Sequence, residues 1–317
     1  MLEELKFVQG AVAKKTLLPT LNHFRIENGE VRSYNGVLAL NTPIDLDIDC
    51  VPKADPFIKA IQNCKETVSL KMTKAGRLAI KSGPFKAFIE CIEEETCHVV
   101  PEGEEFDIDG EQLIKAFKAI APFTGDDASR PWCNGVLLKG QSAYATNNVA
   151  VVEYWVGSTF PVICNIPKVA IKEMIRIKEF PIKAQVDKNS ISFHYKNGKW
   201  IRSTLLDVKW PDIEIIFAAD SNPQPIKDEL FEALDAVKPF TDKIGRVYII
   251  NGTVNSGLSK EEGASYNLQG TDFEGVYHLH VLELLKEVAQ SIDFTTYPKP
   301  CQFFGDRLRG AIIGLKA

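Results

Sequence analysis

The side chains with the most chemical promise are His278 and His280, two apart on a segment that reads as a strand. Alternation along a strand would aim both rings to one side, with Asp272 close by in sequence. Two imidazoles and a carboxylate could hold a divalent metal and activate a water for hydrolysis. No further ligand stands at a spacing that completes the set, and edge-strand or helix-entry positions explain both histidines more simply. Asp126 and Asp127, in the run TGDDASR, could pair as acid and base but read as an acidic loop. The seven cysteines are odd in number and scattered, with no C-x-x-C pair, so neither a zinc ribbon nor a disulfide framework is indicated. G-x-S-x-G, Walker-type lysine and G-x-G-x-x-G patterns are all missing. No cofactor and no resident metal are expected. The remaining chemistry is charge: Lys168, Lys172 and Arg176 recur at i, i+4 and i+8, and Lys115 and Lys118 at i and i+3. On a helix each set makes one stripe, either a solvated face or a surface that attracts phosphates.

The 317 residues are 45% hydrophobic and 25% charged, enough for two or three domains with their own cores. No stretch approaches eighteen consecutive apolar residues, and the first ten residues lack the apolar centre of a secretory signal, so a cytoplasmic address is expected. A net charge of −5 opposes a grip on nucleic acid by the whole surface. The charge is unevenly spread. Helix-like segments Lys53–Lys65, Glu111–Ile120 and Pro167–Lys178 carry more Lys and Arg than Asp and Glu, whereas Ile226–Lys238 and His280–Gln290 carry fewer.

Those five segments show apolar residues at three- and four-residue spacing, for example Leu113, Phe117 and Ile120. Between them lie alternating runs joined by Asn-Gly pairs at Asn28-Gly29, Asn197-Gly198 and Asn251-Gly252, the strongest short-range hairpin signal. Gly305 to Gly310 reads as a further hairpin. The chain also resembles itself. Val68–Ile89 shifted by 114 falls on the alternating run from Ile182, and Tyr34–Leu40 shifted by 112 falls on Thr146–Val152. A fixed period means stacked equivalent units. The predicted architecture is α+β, with three similar domains over 1–104, 105–220 and 221–317, and a linker at Ser221–Pro225. Each domain holds a pair of helix-plus-antiparallel-sheet units. A sixth helix belongs before Pro19, where only Gln9–Lys15 offers one, so the first helix is read as shortened.

The ordered segments Asn134-Gly135-Val136-Leu137-Leu138, Ala145-Thr146-Asn147 and Leu206-Asp207-Val208-Lys209-Trp210-Pro211-Asp212 carry a resemblance. They are similar, in order and spacing, to segments of the bacterial-type DNA sliding clamp, the beta subunit of DNA polymerase III. Phe106–Ala121, Ile163–Arg176, Thr16-Leu17-Leu18-Pro19 and the closing strand Ala311–Leu315 extend the resemblance over the whole chain. It implies a three-domain, ring-forming fold, two copies joined head to tail, and helices lining a bore around double-stranded DNA. It implies a non-enzymatic processivity factor, with polymerase and clamp loader bound through short peptide motifs. Residue by residue it places DNA contacts at Lys15, Lys115, Lys118, Arg130, Lys168, Lys172 and Arg176. The partner-peptide pocket falls on Cys133, Thr146, Asn148, Val149, Val151, Pro211, Ile216 and Ile313. The family's A-T-D-G-H-R-L turn is here Ala145 to Val151, without its Asp, Gly, His and Arg. A divergent clamp, of the kind a virus could carry, fits these departures. A metal-dependent hydrolase using His278, His280 and Asp272, or a β-rich adaptor without DNA contact, are the alternatives.

Overall fold

The computed structural model describes every residue except Glu95, Cys97, Lys260, Glu261, Thr271, Asp272 and Ala317. Helices α1 to α7 span Leu2–Val8, Ala54–Gln62, Gly110–Ile120, Lys168–Ile177, Glu214–Phe217, Asp228–Val237 and Leu279–Leu285. Two compact units divide within α3 and α4: the first holds 1–111 and 172–205, the second 112–171 and 206–317.

The first unit carries two antiparallel sheets. A seven-stranded sheet runs Arg25–Glu27, Glu30–Tyr34, Leu38–Pro43, Trp200–Thr204, Ser190–His194, Lys183–Val186, Glu104–Asp107. A three-stranded sheet joins Ser69–Met72, Arg77–Ser82 and Phe85–Glu90. The turns Asn28-Gly29 and Asn197-Gly198 have positive φ at both residues, as expected where Asn-Gly reverses the chain. Leu5 and Val8 of α1 are wholly buried, as are Phe24, Leu38 and Phe57. The second unit holds a six-stranded sheet in which Leu308–Ile312 pairs with the long strand Ala150–Pro167, itself paired with Gly135–Thr146. Its four-stranded sheet includes Arg246–Ile250 and Thr253–Asn255, joined at Asn251-Gly252.

The internal repeat is structural. Strands Ser69–Met72 and Lys183–Val186 stand 114 residues apart, as do the starts of the helical runs at Ala54 and Lys168. Several expectations need correction. The amino-terminal helix is Leu2–Val8, upstream of the predicted Gln9–Lys15, because Leu5 and Val8 fall on one helical face and bury there. Its acidic first turn, Glu3 and Glu4, suits a helix amino terminus. Pro167 ends a strand and does not open α4. The helix expected over His280–Gln290 stops at Leu285, the last of its buried apolar residues. Within the proposed linker, Gln224–Pro225 is a strand paired with Ser291–Ile292. The closing strand is Leu308–Ile312, earlier than Ala311–Leu315.

Candidate functional site

A small pocket in the second unit, of about 130 Å³, gathers seven of the eight residues expected to receive partner peptides: Thr146, Asn148, Val149, Val151, Pro211, Ile216 and Ile313. Cys133 lies behind them. It is wholly buried, and its sulfur takes a hydrogen bond from Asn148 Nδ2 at 2.9 Å. Burial pushes the Cys133 thiol up, despite that bond. Trp132, Ala150, Ile213, Pro300 and Ala311 complete the lining. Ala311 had a usable signal, since it stands two before Ile313 in an alternating run. Ile213 and Pro300 had none.

The pocket's turn is built from side-chain bonds to the backbone. Asn147 Oδ1 accepts from Val149 N at 3.0 Å and Ala150 N at 2.8 Å. Thr146 Oγ1 donates to the Ala150 carbonyl at 2.7 Å and accepts from Asn148 N at 3.1 Å. Asn148 takes a φ of 68°, a region that asparagine tolerates better than most residues. The family's glycine is therefore replaceable here.

The short helix α5 contributes Ile216 to the lining. Lys139 pairs with Glu214 at 2.6 Å, and the Arg309 guanidinium lies 4.6 Å from the Phe217 ring centre. Gln302, 5% exposed, donates through Nε2 to the carbonyls of Ile216 and Ala219, each at 2.9 Å. Glu153 accepts from Tyr144 Oη at 2.8 Å and from Arg309 Nε, whose guanidinium also meets Phe217, at 2.6 Å. Burial opposes ionisation of Glu153, but hydrogen bonds from Ser142, Arg309 and Tyr144 outweigh it and hold the carboxyl below its usual range. Tyr144 is pushed up to about 12, by burial first and by Glu153 second. The pocket's largely apolar lining suits apolar groups.

The expected DNA contacts are surface residues with unequal freedom. Lys15, Lys115, Lys118, Arg130 and Lys172 are exposed. Lys168 is partly buried and donates to the Gly125 carbonyl at 3.2 Å. Arg130 lies 4.0 Å from Asp127. Arg176 is gripped by the buried Glu173, with Nε–O distances of 3.0 and 2.9 Å, and donates to the Phe7 carbonyl at 3.0 Å. Its charge is largely answered within the protein by the carboxylate three residues before it, a pairing that helical spacing allows.

The hydrolase constellation is not assembled. His278 closes the strand Gly275–His278, whereas His280 belongs to α7, so the alternation that would align them is broken. Asp272 lies outside the described residues. Among the described residues, no group of three or more His, Cys, Asp or Glu side chains could hold a metal ion. No helix among them is long and apolar enough to cross a membrane.

No protein-family model matches the chain, and no curated protein sequence is similar to it. Solved structures are similar over its whole length. The DNA polymerase III subunit beta sliding clamp of Pseudomonas aeruginosa, bound to griselimycin, superposes with a TM-score of 0.84 at 15% identity, covering 100% of this chain and 97% of that one. The Bacillus subtilis sliding clamp gives 0.83 at 16% identity, and the Thermotoga maritima DNA polymerase III beta subunit 0.83 at 15%, with the same coverages. The chain has the sliding-clamp fold.

Proposed function

With the sliding-clamp fold as premise, we propose that this protein is a DNA polymerase processivity factor: a ring that encircles duplex DNA and tethers replication proteins. The observation that carries the reading is the likeness along the entire chain, at TM-scores of 0.83 to 0.86 and identities near 15%. A framework retained from end to end while its sequence drifted points to a use that depends on shape. A ring holds DNA by topology, so it needs loose phosphate attraction and no base reading. The chain is proposed to act without catalysis of its own, in the cytoplasm with the DNA.

On this reading the chain comprises three clamp domains, 1–104, 105–220 and 221–317, and two copies close head to tail. Closure after two copies yields a ring and not a filament. Phe88, 52% exposed on the edge strand Phe85–Glu90, and Phe240 and Ile244, at 58% and 60%, are apolar surfaces available for that contact. Lys15, Lys115, Lys118, Arg130, Lys168, Lys172 and Arg176 would face DNA. The pocket around Val149, Val151 and Ile313 would take one or two apolar side chains from the peptide tails of polymerase and loader. It offers no cation, so its peptides would differ from those suited to the family's His and Arg.

The test is retention on DNA. Protein placed on nicked circular duplex should resist dissociation in moderate salt and be released when the circle is linearised. Equal loss from circular and linear DNA would remove the proposal.

A further inference from the structure

The three-stranded sheet of the first unit has one face covered and one open. The covered face buries Leu78, Ile80 and Ile89, and α2, itself burying Phe57, Ile58 and Ile61, packs against the strand Phe85–Glu90. Alternation puts Lys71, Arg77, Lys81 and Lys86 on the open side, and Lys74 stands in the turn between the first two strands. All five are exposed, and among the described residues none of them makes an ion pair. Glu90, the carboxylate opposite Arg77, is instead taken by Lys53 at 3.3 Å.

The strand register makes this face costly. Lys81 stands directly opposite Lys86, and Lys71 is opposite Ala79, two residues from Lys81 on the same side. Like charges opposed across strands destabilise a sheet. Lys86 turns part of its charge to the Phe88 ring, 4.8 Å from the ring centre. The cluster stands in a chain whose net charge is −5, so the overall composition does not account for it. A row of anions laid across the strands would remove the repulsion.

We propose that this open face is a second nucleic-acid contact, binding the phosphate backbone of duplex DNA without reading its sequence. Charge complementarity selects a polyanion. The choice of DNA rests on the clamp reading, in which the helices face the encircled duplex and this side of the sheet faces away from it. The strands Ser69–Met72 and Arg77–Ser82 bring no aromatic side chain, and Phe88 is already met by Lys86. The stacking platform that single strands use is therefore missing, which favours duplex. A ring threaded on DNA meets other stretches of the same molecule at high effective concentration, so weak contacts suffice.

The test uses relaxed, covalently closed circular duplex, which has no end for a closed ring to pass over. Full-length protein should bind it at low salt, with a logarithmic salt slope of at most about 4.5, about 0.9 for each of the five cations. Lys71→Glu combined with Lys81→Glu should lower that affinity at least about tenfold and the slope by about 2, yet leave retention on nicked circles intact. Lys81→Glu alone sets an anion opposite Lys86, so it should also raise the melting temperature. The milder pair Lys71→Gln and Lys74→Gln gives a second reading should the first variant misfold. Closed circles that go unbound, or that are bound equally by both pairs of variants, overturn the proposal. So does binding that falls with Lys172→Glu and not with the sheet variants, which would place the contact on the helices. Polyglutamate held by this face in place of DNA would assign it to an acidic protein and overturn it as well. Retention on nicked circles is read separately: its failure strikes the clamp reading, while the closed-circle result decides this face.

Discussion

Asp293 shows how a single carboxylate organises a segment of the second unit. It is 3% exposed, and accepts from Thr295 N at 3.0 Å, Thr295 Oγ1 at 2.6 Å, Asn222 N at 2.8 Å and Ser221 Oγ at 3.4 Å. Burial alone would raise its pKa, but these bonds outweigh it and hold the carboxyl below its usual value. A depressed folded-state pKa stabilises above the unfolded value and is lost as pH falls through the folded one. Asp293→Asn should therefore cost about 1–3 kcal/mol at neutral pH, with the deficit shrinking near pH 3. Urea melts at the two pH values would read both quantities. A constant deficit would assign the effect to shape and not to charge. Gly10 is constrained in another way: a Cβ there would lie 1.7 Å from Glu173 Oε1, the carboxylate that holds Arg176. Gly10→Ala should destabilise the first unit by about 1–3 kcal/mol, seen as a lower melting temperature. Thr295 is a local partner of Asp293, but Asn222 and Ser221, and Glu173 beside Gly10, lie far along the chain, where nothing in the sequence marks them.

At the scale of elements, the helices were readable where an apolar stripe coincided with deep burial. Leu113, Phe117 and Ile120 are all wholly buried in α3, and Ile171 and Met174 in α4. The Asn-Gly hairpins were equally readable, since positive φ is a local requirement. The short α5 was not, because four residues carry no periodicity; it is held in place by Lys139, Arg309 and Gln302. Gln302→Leu would orphan the carbonyls of Ile216 and Ala219. It should loosen the pocket wall, raising amide hydrogen exchange across 213–219 and weakening apolar peptides by about three- to tenfold. Unchanged exchange would show that the wall is held by the ion pair and the ring contact alone.

For the whole molecule, head-to-tail closure predicts a solution mass by light scattering near twice 35.3 kDa. Phe88→Asp should shift that mass toward the monomer and release the protein from circular DNA, without lowering the melting temperature much, since the ring is half exposed. Binding to linear duplex, where topology does not hold the ring, should fall with salt, losing about 0.9 in logarithmic slope for each phosphate contact removed. Lys118→Glu and Lys172→Glu are expected to reduce the slope; Arg176→Glu less so, because Glu173 already neutralises that side chain. The local positive helices need not be cancelled by the acidic remainder, because charges beyond about 8 Å are screened at physiological salt.

Local periodicity, turn chemistry and the 112- to 114-residue repeat determined the α+β class, most helices, the hairpins and the duplicated framework, because each depends on neighbours close in the chain. The tertiary structure alone decided that Arg176 also bonds the Phe7 carbonyl, that Cys133 stands behind the pocket, and that the duplicated turn lies near apolar side chains in one unit and His23 in the other. Those outcomes depend on groups up to 169 positions apart, as between Arg176 and Phe7, and no local pattern encodes a contact of that span.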